Sequence, residues 1–458
     1  MTTVALDVGK TKVRLAAIDE RGNEIEGMAR PSAARDGPPY PHVDTDELFD
    51  WIVDGLRTLA RRHEITEIVP IGHGACAALL SGDSLALPVL DYEFTGPEEI
   101  GDYELSARRF AETLSPRLPA GLNLGRQLAW QKARFPEAFE RADRLLLLPQ
   151  YWAWRISGVA VSEVTSLGCH TDLWAPRRGV CSDYARSSGV DRLLPPLRHA
   201  WDRLGPLRPE LAARTGIRDV CGVLAGIHDS NASYFAQRAA REGQFAVVST
   251  GTWVVVMARG ARLDSLDEHR DTLGNVDPLG DAVATARFMG GREFAAIAGG
   301  DGLSLPIDSA DVLATIERGG LVLPTFVSGV GPFRRAKGEI ALPSPSSPRE
   351  RAAAAALYCA LVTDVCLDLV GASGEVIVEG PFARNAGILA ALAGLRPHQR
   401  VLASSDATGT FAGAACLAAW SRGETTAAAR APAALAPASP AAPARMAAHR
   451  ARWRAAIG

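Results

Sequence analysis

Val4, Ala5 and Leu6 lead into Asp7, Val8, Gly9, Lys10 and Thr11, and the chain leaves through Val13, Leu15, Ala17 and Ile18. Half a chain later Phe245, Ala246, Val247 and Val248 lead into Ser249, Thr250, Gly251 and Thr252, and leave through Trp253, Val254, Val255, Val256 and Met257. Each stretch reads as an apolar strand, a tight turn carrying glycine and small hydroxyl residues, and a second strand. Glycine has no Cβ to hold a ligand away, so such a turn can bring several backbone N–H groups to one anion. Two of them, one per half, predict a polyphosphate clamped between two lobes.

A chain of 458 residues is too long for one core and predicts two large domains. With 47% apolar and 22% charged residues, its composition is that of an ordinary globular protein. The 49 basic and 52 acidic side chains leave a formal net charge of -3, which offers no footprint for nucleic acid or an anionic membrane and favours small-molecule partners. Met1, Thr2 and Thr3 pass straight into a strand without a basic and then apolar leader, so the expected location is the cytoplasm. Apolar runs such as Ala352 to Leu357 are alanine-rich and broken by charge, and no membrane span is expected. The seven cysteines are scattered without a Cys-x-x-Cys pair and read as reduced, buried thiols.

Strand and helix alternate through the first half: strands near 3–9, 13–19 and 67–72, and helices near 45–62, 105–116, 124–134 and 136–142. Leu145 to Leu148 reads as a strand that runs through Pro149 into a helix ending near Trp154. This alternation predicts an α/β domain with helices over a mixed sheet. The second glycine hairpin restarts the pattern, which sets domains at 1–235 and 236–423. The second half carries the longest helix, capped by Ser347 with Pro348 in its first turn, Glu350 three residues after the cap and Gly371 at its stop. After Gly423 the alanine and proline repeats read as a loose connector to a short terminal helix with Trp453 packed on the domain, the two together forming 424–458.

Asp7 lies inside a turn suited to phosphate, where a carboxylate needs a cation between itself and the anion; holding Mg²⁺ is one reading and bonding its own backbone the other. Lys10 offers a point charge and Thr11 a hydroxyl to a phosphate. Gly226, Ile227, His228, Asp229 brings an aspartate to the start of a helix, where it serves equally as a helix cap or as a general base. Val376 through Asn385 runs from strand into Glu379, Gly380, Pro381 and Phe382 and then a helix, a loop that a flat nucleotide base could lie against. Asp406, Ala407, Thr408, Gly409 and Thr410 open a further helix that could close that pocket.

In order and spacing these elements resemble the FGGY carbohydrate kinases of the actin-like ATPase superfamily. The likeness covers about 3–422. It rests on Ser249, Gly251, Thr252 and Trp253, on Gly226, His228 and Asp229, on Gly290, Gly291, Arg292 and Glu293, and on Thr408 and Gly409. Trp253 after the Gly-Thr pair is most similar to the rhamnulokinase and fuculokinase branches. The resemblance implies two actin-like, ribonuclease H-like domains with an interdomain cleft, ATP and Mg²⁺ as cofactors, and a ketose such as L-rhamnulose or L-fuculose as acceptor. It implies Asp229 as the base, Asp7 on the metal, and Gly9, Lys10, Thr11, Ser249, Gly251, Thr252, Gly380, Pro381 and Asn385 on the nucleotide. For the sugar it implies His73, Gly74, Ala75 and Tyr92 with His228 and Asp229, and beyond them Glu93 and Trp152. A homodimer is compatible with it.

Family members usually carry a small hydroxyl residue where Lys10 stands, and a run of glycines where this chain has Glu379, Gly380, Pro381 and Phe382. The arginine-bearing motif after the early sugar loop is replaced by Asp91, Tyr92, Glu93 and Phe94. The competing readings are a kinase for another polyol or a pentulose, and a non-catalytic nucleotide-binding regulatory protein. Asp7 to Thr11 lacks the Gly-x-Gly-x-x-Gly turn of a dinucleotide site, which disfavours a dehydrogenase.

Overall fold

The computed structural model describes residues 2–101, 103, 109–404, 409–424 and 435–457. The chain divides into two compact units: Met1–Arg241 with Gly274–Ala282 and Thr410–Pro432, and Glu242–Leu273 with Val283–Gly409 and Ala433–Gly458.

In the first unit β1 (Thr2–Val8) and β2 (Lys12–Ile18) form the expected antiparallel hairpin, with Asp7 opposite Arg14 and Val8 opposite Val13. β3 (Glu24–Pro31), which the sequence reading missed, extends it on the β2 side. On the other side of β1 lies β4 (Ile65–Gly72), parallel to it. Beyond β4 come β5 (Arg203–Gly205) and β6 (Gly222–Leu224), while β7 (Ile227–His228) pairs in parallel with the last residues of β4. The seven-stranded order is β5-β6-β4-β1-β2-β3, with β7 beside β4.

Both faces of this sheet are covered, which is why its strands read as continuous apolar runs rather than alternations. On one face Leu15 lies against α1 (Thr45–Ala60), whose buried Leu48, Ile52, Leu56 and Leu59 recur at helical spacing and whose first turn is capped by Asp44 accepting from Glu47 N at 3.1 Å. On the other, Ala5, Ala16, Ile18, Val69 and Ile71 pack with Phe235 of α2 (Asp229–Ala240) and with Phe411 and Leu417 of a late helix. The predicted helix near 105–116 is Arg109–Thr113 among the described residues.

The second unit repeats the plan. A hairpin of β8 (Phe245–Thr250) and β9 (Val254–Ala258) is extended by antiparallel β10 (Ala282–Phe288), and on the far side by parallel β11 (Glu375–Glu379) and β12 (Val401–Ser404). α3 (Gly290–Ala298) follows β10. The capping box is present on α4 (Pro348–Leu369): Ser347 Oγ accepts from Glu350 N and Glu350 Oε2 from Ser347 N. Although this helix is long and apolar enough by composition to cross a membrane, Ala352 to Cys359 are all nearly fully buried in the core of the second unit. α5 (Ala386–Leu395) packs along it.

Two features differ from the sequence reading. A single boundary near 235 does not describe the compact units, because α6 (Gly409–Ser421) buries its apolar face on the first sheet and Arg422 closes on buried Glu67 of β4 at 2.6 Å. The Ala/Pro stretch holds more order than expected: β13 (Leu435–Pro437) pairs antiparallel with β12, and α7 (Pro443–Ile457) docks in the second unit through fully buried Met446 and Trp453. The indole N–H of Trp453 donates to Val322 O at 2.7 Å. Trp453→Ala is expected to destabilise the second unit by about 3–5 kcal/mol, read as a lowered urea midpoint.

Candidate active site

Parallel pairing decides where the chemistry sits. Val8 of β1 and His228 of β7 both register with Gly72 of β4, so the chain leaves three neighbouring strands at one end of the sheet. From those ends start the Gly9 turn, the His73–Gly74 loop and α2 with Asp229. The carboxyl ends of parallel strands are where open α/β sheets take their ligands.

Asp229 is the first residue of α2, and its N-cap is His228, which makes no side-chain cap. Asp229 thus stands one residue inside the cap position and meets the first turn through a single backbone N–H. One carboxylate oxygen, Oδ1, accepts from Ser230 N at 2.6 Å and lies 3.2 Å from His228 Nε2, and the side chain is 33% exposed. Gly226 sets this up: its φ is +85° and a Cβ there would stand 2.5 Å from Pro70 O, so only glycine makes the bend that joins β6 to β7. Asp7, half-buried, feels that neighbour. Burial first, and then the charge of Asp229, push its carboxyl up to about 7 against the partial relief of Arg14.

His73 Nδ1 donates to Gly74 O at 2.8 Å, and burial pulls its pKa down, so the ring is neutral and Nε2 is an acceptor. Its ring meets Tyr92 edge-on at 5.4 Å. Ala75 is buried at a φ of 59°, and its carbonyl accepts from Gln127 Nε2 at 2.6 Å, which fixes the loop rather than presenting a contact. Lys10 departs from the role the sequence gave it. Its ammonium pairs with Asp91, lies 3.8 Å from Glu93 and sits 4.8 Å over the Tyr92 ring, so it straps the Tyr92 segment instead of reaching for a phosphate. Thr11 is exposed at the hairpin tip, and Gly9 N closes the turn on Lys12 O at 3.1 Å. Trp152 is fully buried and is no sugar contact.

In the second unit the same logic places Gly251 and Gly380 at one end of parallel β8 and β11, where Ser249 registers with Glu379. Gly380 has a φ of +79°, and a Cβ would stand 2.2 Å from Thr250 O; Thr250 Oγ1 donates to Glu379 O and accepts from Phe382 N at 3.1 Å. Gly380 is thus a packing position, with Pro381 exposed beside it and Asn385 capping α5 through Ile388 N at 3.0 Å. Gly291, in the first turn of α3, donates to Thr252 O at 3.3 Å, and its Cα leaves no room for a Cβ against Gly251 O. A Cβ on Gly251 would meet nothing closer than Trp253 O at 4.0 Å, so the outer face of this turn is open beside a helix N-terminus. Asp406, Ala407 and Thr408 lie outside the described residues.

No group of three or more His, Cys, Asp or Glu able to hold a metal occurs among the described residues. Mg²⁺ keeps several waters and takes one or two carboxylates plus substrate phosphates. Asp7, with a charge that burial and Asp229 disfavour, is a carboxylate that a cation would relieve.

Residues 242–427 match the carbohydrate kinase FGGY C-terminal domain. A solved carbohydrate kinase from Novosphingobium aromaticivorans is 38% identical, with a TM-score of 0.86 over 99% of this chain and 98% of that one. The chain belongs to the FGGY carbohydrate kinases. It is 25% identical over 275 residues to the L-fuculokinase of Escherichia coli K12, covering 57% of each chain. To the xylulose kinase of Bacillus subtilis 168 it is 23% identical over 242 residues, covering 50% of this chain and 47% of that one. The matches thus span about half the length of these curated relatives.

The raised Asp7 carboxyl sets a pH dependence. The folded chain keeps this proton to about pH 7, while the unfolded chain releases it near 3.8, so the Asp7 contribution to stability falls as pH rises through that window and levels off above it. Asp229→Asn removes the repelling charge. The Asp7 carboxyl, followed by ¹³C NMR, is then expected to titrate at lower pH than in the parent.

Proposed function

We propose that this chain transfers the γ-phosphoryl group of ATP to a hydroxyl of a ketose, with Asp229 as general base. The observation that carries this reading is the Asp229 carboxylate, one-third exposed, one residue inside the helix cap position and placed at the sheet end from which the Gly9 turn and the His73 loop also start. The acceptor hydroxyl gives its proton to the Asp229 carboxylate as its oxygen forms a bond to the γ-phosphorus, and the bond from that phosphorus to the β-phosphate oxygen breaks to release ADP. His73 Nε2 accepts from one sugar hydroxyl, and Tyr92 walls the sugar position. Gly74 and His228 complete that side.

Within the first unit the phosphate candidates are Gly9 and Thr11; within the second they are Ser249, Gly251 and Thr252, where the first turn of α3 adds a favourable dipole. Asp7 would hold Mg²⁺, which when bound neutralises phosphate charge in the transition state. Gly380, Pro381 and Asn385 shape the support for the purine.

L-Fuculose and L-rhamnulose are the preferred acceptors, supported by Trp253 after the Gly-Thr pair and by the fuculokinase match. A pentulose is the second reading, favoured by the xylulose kinase match. Coupled ADP-release assays over both sugar classes separate them. A non-catalytic nucleotide-binding role is disfavoured by the joint retention of Asp7, Asp229 and Thr252.

Asp229→Asn is expected to retain ATP binding by calorimetry and to lose about 10²–10⁴-fold in turnover; near-normal turnover refutes the assignment. Lys10→Met is expected to raise the KM for sugar several-fold and leave the KM for ATP unchanged, and the reverse pattern would return Lys10 to the phosphates.

A further inference from the structure

Behind the His73 loop lies a cluster that the sequence reading passed over. A Cβ on Gly74 would meet Cys169 Sγ at 2.8 Å, His228 Nε2 at 3.2 Å and His170 Nε2 at 3.5 Å, so three reactive side chains converge on one backbone position. Cys169 Sγ lies 3.3 Å from His228 Nε2, and the same nitrogen lies 3.2 Å from Asp229 Oδ1. Both Cys169 and His228 are buried.

On the other side of the ring, Asn231 Nδ2 stands 3.3 Å from His228 Nδ1, while Asn231 Oδ1 is buried with no hydrogen-bond partner. With that amide assigned the other way round, Oδ1 accepts an Nδ1–H and Nδ2 takes the position now held by Oδ1. His228 then carries a hydrogen on both nitrogens, one given to Asn231 and the other shared between Cys169 and Asp229.

Resting on the kinase reading above, we propose that Cys169 is a positioning residue of the active site: its thiolate holds His228 as an imidazolium whose Nε2–H orients the Asp229 carboxylate. The proton of the Cys169 thiol passes to His228 Nε2, and nothing else is consumed. The charges around the pair agree. Burial opposes a Cys169 thiolate, yet His170 and His228 outweigh it and bring the thiol down to about 5. For His228, burial is outweighed by Cys169, Asp229 and Glu163, which lift the ring to about 9, while His73 also bears on the cluster. Glu163 acts from beneath: its carboxylate takes the Thr165 hydroxyl at 2.6 Å, and that hydroxyl accepts the His228 backbone N–H at 3.1 Å. By contrast, burial raises the thiols of Cys76, Cys181, Cys221, Cys359 and Cys366.

The bland alternative is a small apolar side chain filling space. Ultraviolet difference spectra of the intact protein at pH 7 distinguish them. The proposal expects one thiolate band near 240 nm, absent in Cys169→Ser and in His228→Asn; its absence from the parent overturns the proposal. Side-chain ¹⁵N NMR expects both His228 nitrogens protonated at pH 7 in the parent, with titration back near the usual histidine value of about 6.5 in Cys169→Ser. An unchanged His228 titration overturns it. These two readouts need no substrate, so they stand if the kinase reading fails, which a parent protein inactive on every ketose tested would show. With an active parent, Cys169→Ser and Cys169→Ala are expected to lower kcat alike by about 10- to 100-fold at unchanged KM for ATP, because serine keeps the size but not the charge. Full activity of Cys169→Ser contradicts the positioning role, and the parent's own band, lost on acidification, tests the pair even where a variant fails to fold.

Discussion

The parallel pairing of β1 and β7 with β4 is the constraint on which the rest of the first unit depends. A parallel ladder forces its strands to end on the same side, and the shared register at Gly72 brings the Asp7–Gly9 turn, the His73 loop and the start of α2 together although they lie far apart in sequence. Gly226 is the price of that register, since the chain must bend sharply between β6 and β7 against Pro70. The chemistry follows. Two carboxylates, Asp7 and Asp229, are held near enough to repel, and that repulsion is stored until a cation or a proton relieves it.

The second unit applies the same constraint to a different purpose. β8 and β11 run in parallel, and Thr250 ties their ends by bonding to Glu379 and Phe382. No carboxylate stands at the β8–β9 turn, where Ser249 and Thr250 end β8 and Gly251, Thr252 and Trp253 make the connection. The first unit thus carries the acidic and histidine side chains suited to a hydroxyl acceptor, whereas the second offers backbone and hydroxyls suited to phosphate. Repetition of one fold supplies the scaffold twice, and the turn residues differ between the two copies.

Much of this was legible in the sequence because it is local. Both hairpins announce themselves by apolar strands around a glycine turn, and Ser347, Pro348 and Glu350 mark the start of α4 within four residues. What is decided at a distance was not legible. Lys10 finds Asp91 after 81 intervening steps of chain, so its capture by the Tyr92 segment left no local trace. The alanine-rich α6 carries no mark of the sheet it covers, and β13 hides in a stretch whose composition suggests no order. Cys169 was counted only as one of seven scattered thiols; the adjacent Cys169-His170 pair was the one available signal, and its partners His228 and Asn231 come from α2 and its cap.

The central claim is that ligands are received at the carboxyl ends of the parallel strands. Hydrogen–deuterium exchange on the intact protein, with a ketose and with a non-hydrolysable ATP analogue added in turn, tests it most directly. The account predicts that the ketose slows exchange in 72–75 and 226–231, and that the nucleotide slows it in 9–12 and 249–253. Protection confined to the opposite ends of these strands, or to the surface helices, would contradict it.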